Sequence, residues 1–145
     1  MENEHVYDVS VKWERDRMGT MASPVLTHSF EVATPPDFYK GMPGIWSPEH
    51  LLVASVNSCL MATFLGIAEN LKLHFVSFSS NATGKVEKVE GKFMMTEISL
   101  FPTVVVAAAM DTEKAEKVLQ KSEAACLISN SIKSTIVFKP TVVCQ

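Results

Sequence analysis

The chain has 145 residues, of which 47% are hydrophobic and 20% charged, enough apolar material for the core of one ordinary domain. Its net charge is −3, and its 13 Lys and Arg form no dense run, which excludes the basic footprint of a nucleic-acid binder. Three widely spaced cysteines, with no Cys-x-x-Cys pair, exclude a disulfide-stapled secreted scaffold, and four scattered histidines show no zinc-ligand spacing.

The polar, acidic start Met1-Glu2-Asn3-Glu4-His5 lacks the basic and apolar regions of a secretory signal. Val6 to Trp13 alternates through Val9, Val11 and Trp13, which predicts a strand; Glu14 to Gly19 reads as a charged turn. Met21 to Val32 predicts one or two further strands broken by Pro24, giving an N-terminal meander. Thr34 to Trp46, with three prolines and two glycines, is a long loop. A helix start follows: Ser47 can cap, Pro48 suits the first helical position and Glu49 favours the positive helix end. The helical pattern runs to about Asn70 and carries many small residues, so it reads as a central, buried helix in which Asn57-Ser58 is where a kink or break can occur. Ser55, Asn57, Ser58 and Thr63 make Leu51 to Ala68 too polar for a comfortable membrane span.

Leu73 to Val89 and Lys92 to Ala107 predict a long antiparallel hairpin turning at Glu90-Gly91. Asp111 caps a second helix that runs to about Cys126, and Ile132 to Val143 closes the chain as a strand. The order predicts a single α+β domain over residues 1–145, mostly antiparallel in its sheet, in a cytoplasmic protein that binds neither nucleic acid nor membrane.

Cys59 and Cys126 lie 67 positions apart, each on a predicted helix. If those helices pack antiparallel or crossed, the sulfurs can meet, and a disulfide needs Cα atoms within roughly 7 Å. By residue type alone, two buried core cysteines are the simpler reading. Arg15 and Arg17 lie after the first strand. A guanidinium near a thiol favours the thiolate and can hold peroxide oxygens, although a solvated arginine in a charged turn is the plainer reading. Glu49 serves the helix dipole, or holds an arginine by a paired hydrogen bond. It stands ten residues before Cys59, about 15 Å along a straight helix, so a shared site needs a broken helix or a second chain. His50 is expected to cap or pack; Cys144, next to last, is assigned no role; Phe38, Tyr39 and Trp46 shape a pocket wall or pack; and Met94, Met95 and Met110 read as core.

Two segments carry a resemblance. Ser47-Pro48-Glu49-His50-Leu51-Leu52 followed by Asn57-Ser58-Cys59 resembles the Pro-Glu-x-Leu…Ala-Cys segment of the OsmC/Ohr family. Glu123-Ala124-Ala125-Cys126-Leu127-Ile128-Ser129, with Ile132-Lys133 after it, resembles the second family segment, a helix ending in Cys-Pro-x-Ser before a strand. The order of elements agrees over nearly the whole chain. Leu127 stands where the family has proline, and the stretch around Arg15 is shorter and lacks the glycines of Ohr proteins.

The resemblance implies an intertwined α+β homodimer, with sheets wrapped around central helices and sites at the dimer interface. It implies a hydroperoxide reductase in which Cys59 is peroxidatic, Cys126 resolves, and Glu49 and Arg15 (Arg17 in reserve) assist. No metal or organic cofactor is implied; the external reductant is a dithiol, in the Ohr branch a lipoylated protein. A ligand-binding or redox-sensing protein on the same scaffold is the alternative, and a purely structural dimer with two unreactive thiols is the third.

Overall fold

The structure is a computed structural model and describes residues 3–145; Met1 and Glu2 of the acidic start lie outside the described residues. The chain divides into two compact units, Met1–Leu51 and Leu52–Gln145.

The first unit is a three-stranded antiparallel meander: β1 (Ser10–Arg15), β2 (Met18–Ala22) and β3 (Phe30–Ala33), in that order. The β1–β2 turn is tighter than the charged stretch predicts, because Asp16 adopts φ 47° and the pairing skips a residue between Trp13 and Arg15. The Trp13 indole N–H donates to the Asp16 carbonyl at 3.0 Å and braces that turn. The predicted long loop closes on itself: Met42 N–H donates to the Thr34 carbonyl and Ala33 N–H to that of Trp46, both at 2.8 Å. Only glycine fits at position 41, where a Cβ would stand 1.9 Å from the Pro35 carbonyl oxygen.

The helix α1 (Pro48–Asn70) begins where the sequence places it. The buried Ser47 hydroxyl accepts the His50 N–H at 3.1 Å and shares a 2.6 Å hydrogen bond with His50 Nδ1, so the histidine belongs to the cap. The helix is continuous through Asn57-Ser58, where the sequence allows a kink or break. Asn57 instead reaches out of the helix, its Nδ2 donating to the Ser80 carbonyl at 2.9 Å. By length and composition α1 could cross a membrane, with mean hydropathy 1.9 in its most apolar window. In the second unit it buries one stripe, 22% of that window. Val56, Leu60, Phe64 and Ala68 are buried, each four residues after the last, and meet Ile98, Leu100, Val104 and Val106.

Past Asn70 the chain forms a Schellman closure: Lys72 N–H donates to the Glu69 carbonyl and Leu73 N–H to that of Ala68. Lys72 takes φ 54°, and Leu73 drops into the core beside Ala68. That closure occupies the residues expected to open the next strand, so β4 starts later, at Ser77, and runs to Val89. Glu90 and Gly91, at φ 50° and 81°, form the tight turn into β5 (Lys92–Val106).

On β5, Ile98, Leu100, Pro102, Val104 and Val106 alternate into the core. Asp111 precedes α2 (Thr112–Ala125) but makes no side-chain cap. It ends a 3-10 turn, Ala109–Asp111, in helical geometry, whereas a capping carboxylate needs an extended backbone. The final strand divides into β6 (Thr135–Phe138) and β7 (Thr141–Cys144). Pro140 lacks the N–H that a continuous ladder would need. Both strands pair parallel with β5, so the antiparallel-rich α+β sheet carries one parallel flank.

Candidate active site

The packing of α1 and α2 determines where the thiols stand. Burial of Leu60 turns its neighbour Cys59 onto the flank of the α1 stripe, where it is half-buried. On α2 the stripe runs Ala115, Val118, Leu119, Ser122 and ends at Cys126, which is 1% exposed. Phe64 and Ala68 of α1 share one core cluster with Ala115, Val118 and Leu119, so both helices pack into the same core. Past α2 the Ile128 side chain packs against the core cluster of Val56, Leu60, Ile98 and Leu100. The Cys126 thiol is a neighbour that acts electrostatically on Cys59, and all three cysteines of the chain are free thiols.

The thiols are electrostatically unlike. Burial is the largest influence on Cys59 and opposes its ionisation. The N–H of Ile128, the Cys126 thiol, the Thr63 hydroxyl and the N–H of Leu127 together outweigh it and hold Cys59 below the ordinary thiol range. Thr63 lies one turn further along α1, with Oγ1 3.9 Å from the Cys59 sulfur. Burial pushes the Cys126 thiol up, against hydrogen bonds from the Ser129 hydroxyl and N–H, and the neighbouring Cys59 raises it further. One sulfur is disposed to be a thiolate, and the one beside it to keep its proton.

The segment after α2 holds this arrangement. Cys126 ends the helix with φ −63° and ψ 114°, which turns the chain out of helical geometry. The carbonyls freed there are taken up by the Ser129–Ser131 turn. Ser129 Oγ and Asn130 N–H donate to the Cys126 carbonyl at 3.2 and 3.1 Å, Asn130 Nδ2 to that of Ala124 at 3.1 Å, and Ser131 Oγ to that of Leu127 at 2.8 Å. The Ser-Asn-Ser run, legible only as a helix break, is thus a set of caps.

The other candidate residues are placed within their own unit. Glu49 lies in the first turn of α1, with a buried Oε1 that has no hydrogen-bond partner among the described residues. Arg15 ends β1 with an exposed guanidinium 3.3 Å from Asp16, and the Arg17 carbonyl accepts from Thr34 N–H. Trp46 stands edge-on to the His50 ring. Cys144 is exposed on β7. Thr63 stands out in the sequence only as a polar residue of the helix and not as a site residue; its position four residues after Cys59 is the signal for that role. Among the described residues no three His, Cys, Asp or Glu side chains are grouped as a metal ligand set. An open groove of about 420 Å³ along α2 and β7, lined by Glu113, Glu116, Lys117, Gln120, Pro140 and Val142, has neither thiol of the pair in its wall.

Comparison with known proteins places this geometry in a wider set. The family profile described as OsmC-like protein matches residues 41–141. The uncharacterized protein YmaD of Bacillus subtilis (strain 168) is 26% identical over 138 residues, which span 92% of this chain and 90% of that protein. A solved OsmC-like protein of unknown function from Vibrio cholerae superposes with a TM-score of 0.85 at 23% identity, covering 94% of this chain and 99% of the other. An organic hydroperoxide resistance protein from Elizabethkingia anophelis, solved with thiocyanate bound, superposes over 100% of both chains with a TM-score of 0.78 at 21% identity.

Proposed function

The chain belongs to the OsmC-like protein family, and from that premise we propose that it is a two-cysteine thiol peroxidase for organic hydroperoxides. The Cys59 thiolate attacks one peroxide oxygen; an S–O bond forms, the O–O bond breaks, and the departing alkoxide takes a proton and leaves as alcohol. Cys59 is now a sulfenic acid. The Cys126 sulfur attacks it, a disulfide forms and water leaves. An external dithiol, in the manner of a lipoylated protein, restores both thiols by exchange and is itself oxidised to a disulfide. The sum is hydroperoxide and dithiol to alcohol, water and disulfide. Hydrogen peroxide fits the same scheme, with water in place of the alcohol.

The single observation that supports the reading is the unlike pair of neighbouring thiols, Cys59 favoured as thiolate and Cys126 as thiol. A nucleophile and a resolving group need that division. Glu49 and Arg15 complete the proposed site, the buried carboxylate oxygen of Glu49 receiving the guanidinium. Because α1 is unbroken, we place that pairing at the interface of a homodimer. Support for a second copy comes from the outer face of α1, where Met61 and Leu65 are each 44% exposed beside exposed Ala62 and Gly66. We place the cycle in the cytoplasm, where dithiol reductants keep thiols reduced.

The test is to mix reduced protein with one equivalent of cumene hydroperoxide in a Cys144→Ser background and count thiols. The background protein loses two thiols, Cys59→Ser loses none, and Cys126→Ser stops at a sulfenic acid. Persistence of both thiols, with hydrogen peroxide as well, overturns the peroxidase and leaves the ligand-binding or sensing reading of the same scaffold.

A further inference from the structure

We propose that the Thr63 hydroxyl is the proton donor to the alkoxide that departs when Cys59 attacks a hydroperoxide, which makes Thr63 a catalytic residue. The inference rests on Cys59 being the peroxidatic thiol of the proposed function.

The geometry comes from a single helix. Thr63 follows Cys59 by four residues on the unbroken α1, so the two share one flank of it, one turn apart. Helical side chains lean toward the N-terminus of their helix, and Thr63 therefore leans over the turn that carries Cys59. The result is an Oγ1 3.9 Å from the Cys59 sulfur. Leu60 and Phe64, the next residue along from each, are sealed in the core, whereas Cys59 and Thr63 are only half-buried and keep accessible surface. A contact of that length holds the hydroxyl loosely, and its O–H rotates between acceptors. In-line attack puts the departing oxygen one bond beyond the oxygen under attack, and Oγ1 stands at a comparable distance from the sulfur.

The chemistry needs a proton at that place. Attack forms the S–O bond and breaks the O–O bond, whose electron pair leaves on the alkoxide. Two side chains of the same unit act on Cys59, the Thr63 hydroxyl and the Cys126 thiol, and among the described residues no charged group does. The Cys126 proton is required later, when it leaves with the sulfenic hydroxyl as water. Arg15 of the proposed site can hold a peroxide by charge, but a guanidinium does not give up its proton. Thr63 has neither constraint. Its O–H protonates the alkoxide and recovers a proton from solvent, the one that Cys59 released on ionising, so the overall sum of the cycle is unchanged.

The experiment compares Thr63→Val, which keeps the shape and deletes the hydroxyl, with Thr63→Ser, which keeps the hydroxyl, both in the Cys144→Ser background. Three rates are measured for each at neutral pH: alkylation of Cys59 by iodoacetamide, reduction of cumene hydroperoxide and reduction of peracetic acid. Iodide and acetate leave without needing a proton, whereas the cumyl alkoxide needs one. Expected for Thr63→Val is a rate with cumene hydroperoxide that falls about tenfold or more beyond its fall in alkylation. With peracetic acid the fall matches that in alkylation. Thr63→Ser keeps the parent's ratios, and Thr63→Ala, which suits a helix, repeats the valine result if valine disturbs the fold.

Equal falls in all three rates overturn the proposal and leave Thr63 as a stabiliser of the thiolate. An equal excess deficit with both oxidants also overturns it, since a donor that does not distinguish the leaving groups is not protonating one of them. A parent that is alkylated at Cys59 yet reduces neither oxidant brings down the peroxidase reading, and this proposal with it.

Discussion

Thr63 illustrates how much a single side chain contributes to the state of Cys59. Its hydroxyl lies one helical turn from the sulfur and favours the charged form. Thr63→Val preserves shape and removes that donor. Cys59 alkylation at neutral pH is expected to fall about fivefold, the equivalent of roughly 1 kcal/mol for one hydrogen bond, as measured with iodoacetamide at fixed pH. The same substitution makes a pH-dependent change in stability. A thiol whose folded value lies below its unfolded one stabilises the fold fully only above the unfolded value, and that stabilisation is lost as pH falls through the folded value. Thr63→Val therefore lowers the melting temperature more at alkaline pH than at pH 6; a difference that is the same at both pH values rejects the hydroxyl's role. Cys126 acts in the opposite sense, its thiolate being disfavoured in the fold at alkaline pH. The motif spacing brought Cys59 and Cys126 to notice as a pair. The amides of Leu127 and Ile128 could not be foreseen in the same way, because every residue but proline carries an N–H and its direction is set by the fold.

Elements whose boundaries depend on side-chain chemistry were the legible ones. Ser47-Pro48-Glu49 marks the start of α1 by capping, and Glu90-Gly91 marks the hairpin turn by left-handed geometry. Boundaries that depend on tertiary packing were misplaced. Leu73 belongs to a closure that ends α1 and is drawn into the core, although its local sequence reads as strand. Asp111 loses its cap to a 3-10 turn that composition does not announce. The closure of α1 gives a prediction at this scale. Lys72 holds a left-handed conformation that a β-branched side chain resists. Lys72→Val is expected to destabilise the protein by about 1–2 kcal/mol, read as a lower denaturation midpoint with an unchanged slope. An unchanged midpoint means that the closure is not strained by the larger residue.

For the whole molecule the unresolved apolar surface is the informative quantity. Val11 and Trp13 on β1, and Val9 just before it, are all more than 60% exposed, and Met61 and Leu65 face outward from α1. Surface of that kind is normally covered by another chain. In the proposed homodimer Leu65→Glu places a charge in the interface, and sedimentation is expected to show monomer where the parent shows dimer; a parent that sediments as monomer rejects the assembly. The 67 positions between Cys59 and Cys126 have one more consequence, which concerns the unfolded chain. A disulfide there ties off nearly half the sequence and removes many of the open conformations available to it. The chain-entropy relation puts the stabilisation at about 4 kcal/mol for a loop of this size. In the proposed cycle each turnover alternates between a looser and a tighter protein, so that heat resistance would record recent peroxide exposure. The oxidised form is expected to melt well above the reduced form in calorimetry, with Cys126→Ser melting alike under both conditions.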